Sequence, residues 1–118
     1  MTARVFRRIA LGMDGAVEDA HMGHADFRAS GRIFATLGYP DRKWGMVALT
    51  PEQQQTAVRE HEAFTPVKGS WGAGGATLVR LAAADEETLG AAMTLAWQNA
   101  VAKSSATRSV TKRRTPRR

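Results

Sequence analysis

Few side chains in this sequence could bind a metal. Its three histidines are His21, His24 and His61, and it contains no cysteine. A zinc site would therefore need all three histidines, or some of them together with carboxylates such as Asp19 or Asp26. His21 and His24 are three residues apart, and side chains at that spacing point to opposite faces of a strand. We therefore interpret the histidines as hydrogen-bonded structural residues and expect no metal.

The residues needed for nucleophilic catalysis are also sparse. A nucleophilic Ser or Thr needs a base within hydrogen-bond reach and a third group that orients the base. Histidine is scarce and no Gly-x-Ser-x-Gly motif occurs. The carboxylate pairs Glu18-Asp19 and Glu86-Glu87 stand where turns and helix starts normally place acidic residues. We expect no catalytic residue and interpret the chain as a non-enzymatic protein.

A glycine-rich stretch at residues 69–75 has the composition of a phosphate-binding loop but not its pattern. It lacks the Lys-Ser/Thr ending of a P-loop, and an alternating strand follows it where a phosphate site needs a helix N-terminus. We interpret it as a flexible loop, too rich in glycine for a regular element, and expect no bound cofactor. Its Trp71 either packs into the core or forms an exposed aromatic contact.

The clearest signal is the distribution of charge. Residues 103–118 hold seven of the 17 Lys and Arg residues and none of the 11 Asp and Glu residues, so residues 1–102 carry a net charge of −1. After Lys103 only Ala106 and Val110 are apolar, which predicts a disordered basic tail that follows a folded domain of residues 1–102. Clustered Lys and Arg in a flexible segment bind DNA or RNA backbones by counterion release. The candidate binding residues are Lys103, Arg108, Lys112, Arg113, Arg114, Arg117 and Arg118.

Other basic residues lie on or between the predicted strands. If several shared one face, they would line a site for a nucleic-acid backbone beside Trp44 or Trp71. The alternative is that each is a solvated partner of a nearby carboxylate, which the near-neutral charge of residues 1–102 favours for the residues taken singly. The candidates from this group are Arg28, Arg32, Lys43 and Lys68.

The elements that must position these residues start with a helix over residues 3–11, capped by Thr2. Residues 15–24 are ambiguous, with a short strand near residues 18–22 as one interpretation. Two strands joined at Ser30-Gly31 follow, because Gly permits the positive φ of a tight hairpin turn. Alternation along the second strand places Ile33, Ala35 and Leu37 on one face and Phe34 and Thr36 on the other. The first third of the chain thus ends in a hairpin.

The remaining elements have stronger local signals. A strand over residues 44–50 leads into a helix, because Thr50, Pro51 and Gln53 have the types and spacing of a capping box with proline at the first helical position. Pro66 indicates an edge strand near residue 65, and ATLVRL alternates as another strand. Asp85 caps a last helix whose apolar residues from Leu89 to Val101 recur at helical spacing.

The predicted element order is therefore α-β(3)-α-β(2)-α. An antiparallel sheet with helices packed on it makes a two-layer α+β domain. The 118 residues and 43% hydrophobic content suit one core. No apolar run is long enough to span a membrane or to form the core of a signal peptide, and the absence of cysteine fits a reducing compartment. We expect a soluble cytoplasmic protein that does not associate with membranes.

Five segments together resemble a known family. GHADFR, GRIFATL, WGMVALTPEQQ, GSWGAGGATLVRL and LAWQNA occur in this order, and they resemble the MmcQ/YjbR family of small bacterial proteins from Phe6 to Lys103. The family usually has proline at the position of Ala25. The resemblance implies a secretion-chaperone-like (YjbR-like) fold and a DNA-binding label without a catalytic motif. Residues after Lys103 lie outside it.

The sequence therefore supports two hypotheses. The first is a nucleic-acid-associated protein that contacts DNA or RNA backbones without sequence preference, mainly through the basic tail. The second is a protein-interaction or chaperone-like module that uses the sheet face or the Trp71 loop to bind a protein partner.

Overall fold

The computed structural model describes the backbone of residues 1–21 and 23–114 and the side chains of residues 1–20 and 23–103. This part of the chain contains six strands, four α-helices and one 3-10 turn. The helices are α1 (Ala3–Leu11), α2 (Pro51–Glu60), α3 (Gly69–Ala73) and α4 (Glu86–Arg114). The strands are β1 (Val17–His21), β2 (His24–Ala29), β3 (Arg32–Leu37), β4 (Trp44–Ala48), β5 (Phe64–Pro66) and β6 (Ala76–Arg80).

All six strands form one antiparallel sheet in the order β1-β2-β3-β4-β6-β5. The α+β class is thus confirmed, but four strands precede α2 where three were predicted, because the ambiguous segment pairs with β2 as β1. Pro66 lies on the edge strand β5, where its missing N–H costs no ladder hydrogen bond. The predicted hairpin at Ser30-Gly31 joins β2 to β3.

The core lies between one face of the sheet and the helices. Phe6 of α1 and Met93 of α4 are fully buried, together with Phe27 and Val47 from the sheet. Gly45 permits this packing, because a Cβ there would lie 2.5 Å from the Phe6 ring. Helices α1 and α4 thereby cover strands β2, β3 and β4.

The predicted alternation along β3 is wrong at one position. Phe27 pairs with Ala35, but the next pair joins Arg28 to Ile33, so Phe34 has no partner across the ladder. The extra residue breaks the period of two, as a β-bulge does. Phe34 is consequently buried in the same core as Ala35, and Ile33 is 37% exposed.

The predicted helix starts are confirmed. Thr2 Oγ1 accepts a hydrogen bond from Val5 N over 3.2 Å. Thr50 and Gln53 form a reciprocal capping box. Asp85 Oδ1 accepts a hydrogen bond from Thr88 N over 2.7 Å at the start of α4. Each cap satisfies an N–H that the helix itself leaves without a partner.

The glycine-rich stretch was predicted to be irregular and instead forms the short helix α3. Tertiary contacts override the low helix propensity of glycine here. The buried Gln54 side chain donates to Gly72 O and Ala76 O, both over 2.9 Å. A Cβ at Gly72 would collide with the Val67 carbonyl group, so glycine alone allows α3 to pack this closely.

Helix α4 continues past the predicted domain boundary. Its backbone is helical to Arg114, whereas a disordered tail was predicted from residue 103. Neither glycine nor proline occurs between Gly90 and Pro116 to end the helix earlier. Residues 115–118 lie outside the described residues, so their predicted disorder stays a prediction. Among the described residues, no helix is both long enough and apolar enough to cross a bilayer.

Candidate nucleic-acid interface

A groove of about 850 Å³ opens at the end of the sheet where β2 turns into β3. Its other walls are the N-terminus of α2, helix α3 and residues 96–103 of α4. The groove contains three basic side chains and one large aromatic side chain, which are Arg28, Arg32, Lys103 and Trp71. All four were among the residues that the sequence singled out.

The turn between β2 and β3 positions the two arginines. Ser30 and Gly31 both have positive φ, 54° and 79°, as the tightest two-residue hairpins require. Arg32 pairs with Ala29 directly after this turn, and Arg28 pairs with Ile33 one step further along the strands. Arg32 is exposed, and no ion pair to it occurs within the described residues. Its guanidinium group is thus available to an anion in the groove.

Arg28 differs from Arg32 because a carboxylate already neutralises it. Its Nε lies 2.9 Å from Asp26 Oδ1 and its second guanidinium nitrogen lies 3.2 Å from Oδ2. The Asp26 side chain is only 1% exposed, whereas that of Arg28 is 33% exposed. The hydrogen bonds from Arg28 to Asp26 raise the pKa of Arg28 above its ordinary value. The pair presents a charged group to the groove but adds little net charge.

Trp71 is the exposed aromatic side chain of the groove. It is 52% exposed, which settles the sequence alternative between a core residue and a surface contact in favour of the surface. Helix α3 holds it in place, because Gly72 packs against Val67 and Gln54 binds the end of the helix. An exposed indole ring on a fixed element is a surface on which a nucleobase can stack.

Lys103 connects the groove to the basic segment. It is exposed and lies on the wall that α4 contributes. The α4 backbone continues from Lys103 to Arg114, so the basic residues of 104–118 come after this groove residue in the sequence. The side chains of Arg108, Lys112, Arg113 and Arg114, and the whole of Arg117 and Arg118, lie outside the described residues, and their contacts stay predictions.

The structure does not bring the other two candidates into the groove. Lys43 precedes β4 at the opposite end of the sheet, where the Arg80 guanidinium group lies 5.7 Å from the centre of the Trp44 ring. Trp44 is four residues from Ala48 on the groove side, which is about 13 Å along a strand. Lys68 stands at the N-cap position of α3 without a side-chain capping hydrogen bond, and it is exposed but does not line the groove. The candidates thus divide between separate regions of the surface.

Two polar residues of the groove, Asn99 and Ser70, were not predicted. Asn99 Nδ2 donates to Ala48 O over 3.2 Å and to Gln53 Oε1 over 2.8 Å. A sequence signal for Asn99 existed, because it is a polar residue beside Ala100 and Ala96 in the apolar stripe of the last helix. Polar residues beside such a stripe often hydrogen-bond a neighbouring element.

Two of the three histidines have neighbours that suit structural roles. His61 Nδ1 accepts from Ala63 N over 3.2 Å, and His61 Nε2 lies 3.7 Å from Asp85 Oδ2. The His24 ring lies 5.5 Å from the Tyr39 ring, centre to centre. Its buried Nδ1 has no hydrogen-bond partner among the described residues, so the expected hydrogen bond is not found at His24. The side chain of His21 lies outside the described residues. Within the part of the chain that the structure describes, no three metal-binding side chains are grouped.

Two arginines of α1 form ion pairs with nearby carboxylates. Arg7 Nε lies 3.0 Å from Glu18 Oε1 and an Arg8 guanidinium nitrogen lies 3.0 Å from Glu86 Oε1. Such exposed pairs contribute little to stability.

Comparison with protein-family models, curated proteins and solved structures finds no match to this chain. The groove and its residues are therefore the basis for a function.

Proposed function

We propose that this chain is a non-enzymatic protein that binds DNA or RNA backbones without sequence preference. The observation that carries the proposal is the groove, which is lined by Arg32, Lys103 and Trp71 and lies where α4 leads into the basic segment. The basic segment supplies most of the electrostatic affinity, and the groove orients the bound strand. This combination of cationic side chains with an exposed aromatic ring is typical of proteins that bind single strands.

The net charge of the folded domain explains why the basic segment supplies most of the electrostatic affinity. Residues 1–102 have a net charge of −1, and Asp26 offsets the charge of Arg28. The folded domain alone therefore attracts a polyanion weakly. Stacking on Trp71 adds about 1–3 kcal/mol per base and favours single strands, whose bases are accessible.

The proposal also includes a family and a location. We propose that the domain is a member of the MmcQ/YjbR family with a secretion-chaperone-like fold, and that it acts in the bacterial cytoplasm. The five segments that resemble the family support this assignment, and the α+β class of the structure is compatible with it. An experimental structure in which strands β4, β5 and β6 did not lie in the order β4-β6-β5 would contradict the family assignment.

A titration with a fluorescent single-stranded oligonucleotide tests the role of the groove. At constant salt we expect Trp71→Ala to weaken binding by about fivefold to 150-fold and Arg32→Gln to weaken it by about threefold to tenfold. Tyr39→Ala and Arg42→Gln are the matched controls, because both residues are exposed and neither lines the groove. Equal losses in the groove variants and the controls would remove the groove from the proposal.

The alternative is a protein-interaction module. One observation favours it: Val17, Arg28 and Ile33 lie in register across β1, β2 and β3, and the two apolar members are 58% and 37% exposed. An apolar pair beside an ion-paired arginine suits a protein surface. A protein partner that stays bound at high salt, when oligonucleotide binding is lost, would favour this alternative.

A further inference from the structure

A second concave surface lies between α2 and residues 87–95 of α4, which come before the α4 residues that line the groove. This cleft of about 580 Å³ has an apolar floor that includes Leu49, Ala57, Phe64 and Ala92. Leu95 lies on its α4 wall and is 37% exposed. The walls are two helical faces, since Thr56 and Glu60 on α2, and Thr88 and Leu95 on α4, repeat at helical spacing.

The rim of the cleft has one sign of charge. Glu52 and Glu60 on α2 and Glu87 on α4 line it, and none of the lining residues is Lys or Arg. Among the described residues, no ion pair involves any of these three carboxylates. Glu60 is the last residue of α2, where a negative charge interacts unfavourably with the helix dipole. Helix stability therefore does not account for this carboxylate.

We propose that the α2–α4 cleft binds a basic amphipathic helix of a partner protein. Apolar side chains of the partner at i, i+3, i+4 and i+7 would cover the floor and contact Leu95, as in other helix-in-groove complexes. Lys and Arg residues on both sides of that apolar stripe would pair with Glu52, Glu60 and Glu87. The carboxylates exclude a nucleic acid from the cleft by repulsion, so the occupant differs from that of the basic groove.

The test uses the full chain and a synthetic 14-residue peptide of leucine and lysine with its leucines at helical spacing. Isothermal titration calorimetry should give a Kd in the micromolar range. The affinity should fall as the salt concentration rises. Leu95→Lys should weaken binding at least about tenfold, because it removes an apolar contact and adds repulsion. The pair Glu60→Gln and Glu87→Gln should weaken binding and reduce its salt dependence.

Matched controls separate binding from folding. Leu11→Lys makes the same change at another leucine, 40% exposed on α1 and outside the cleft, and should bind like the wild type. Glu62→Gln is the control for the carboxylates, since Glu62 is exposed and does not line the cleft. A peptide with glutamate in place of lysine should not bind.

Three results would overturn the proposal. The first is equal binding of the lysine and glutamate peptides. The second is an affinity that Leu95→Lys leaves unchanged while circular dichroism shows a folded chain. The third is self-association of the full chain that Leu95→Lys abolishes, without any peptide binding, which would assign the cleft to a second copy. A failure here leaves the nucleic-acid proposal intact, because the two surfaces have different lining charges.

Discussion

Asn99 Nδ2 donates a hydrogen bond to Gln53 Oε1 over 2.8 Å, and this contact joins α4 to the N-terminus of α2. Gln53 Oε1 also accepts from Thr50 N over 2.9 Å as part of the capping box. Gln53 lines the acidic cleft, whereas Asn99 lines the basic groove. The pair therefore links the two proposed binding surfaces.

Removal of the Asn99 amide tests this link. We expect Asn99→Ala to lower the free energy of unfolding by about 1–2 kcal/mol, because it removes hydrogen bonds to Gln53 and to Ala48 O. Urea denaturation measures the change. Gln98→Ala, at the exposed neighbouring position on α4, should change the stability by less than about 0.5 kcal/mol. Similar values for the two variants would mean that the contact between α2 and α4 contributes nothing.

Gly75 is required where α3 meets β6. Its φ is +116° and a Cβ there would collide with the Leu49 and Thr50 backbone. Gly75→Ala should therefore destabilise the domain by more than about 2 kcal/mol. Gly74 has φ −82° and ordinary space for a Cβ, so Gly74→Ala should be close to neutral. Thermal melting of both variants measures the two changes in stability. An unchanged Tm for Gly75→Ala would show that α3 does not pack as described.

Asp26→Asn should lower the stability of the fold and strengthen oligonucleotide binding. The substitution removes the negative charge that neutralises Arg28, so it should lower the Tm, since a buried partner of an ion pair is lost. It should also strengthen oligonucleotide binding and steepen its salt dependence by about one unit, because Arg28 gains a net charge in the groove. Weaker binding by a folded Asp26→Asn variant would place Arg28 outside the interface.

Asp85 makes stability depend on pH in a defined direction. Hydrogen bonds from the Thr88 backbone and hydroxyl lower the pKa of Asp85, with a smaller contribution from His61. A lowered carboxyl pKa stabilises the fold above the unfolded value, about pH 4, and this stability is lost as the pH falls through the folded value. The Tm difference between wild type and Asp85→Asn should therefore shrink as the pH falls below about 4. A difference that grows below about pH 4 would contradict the assignment.

Local patterns in the sequence predict much of this fold. The caps at Thr2, Thr50 and Asp85 and the Ser30-Gly31 turn depend on residues within four positions of one another, and all were predicted. The bulge at Phe34 was missed, because the register depends on the neighbouring strand. Helix α3 was missed because distant contacts from Gln54 stabilise it.

The same distinction holds for the groove. Arg28 and Arg32 flank one hairpin turn, so their proximity follows from the sequence. Trp71 and Lys103 join them only through the tertiary packing of α3 and α4, about 40 and 70 residues further along the chain. The cleft between α2 and α4 gave no sequence signal, because its floor residues Leu49, Ala57, Phe64 and Ala92 come from four separate segments.

The salt dependence of oligonucleotide binding tests the central claim most directly. With all seven basic residues of 103–118 in contact with phosphates, the slope of log affinity against log salt approaches about −5 on a single strand and about −6 on a duplex. A chain that ends after Lys103, and a full-length variant with glutamine at Arg113, Arg114, Arg117 and Arg118, should both lose most of the affinity and most of the slope. Undiminished binding by both variants would contradict the account.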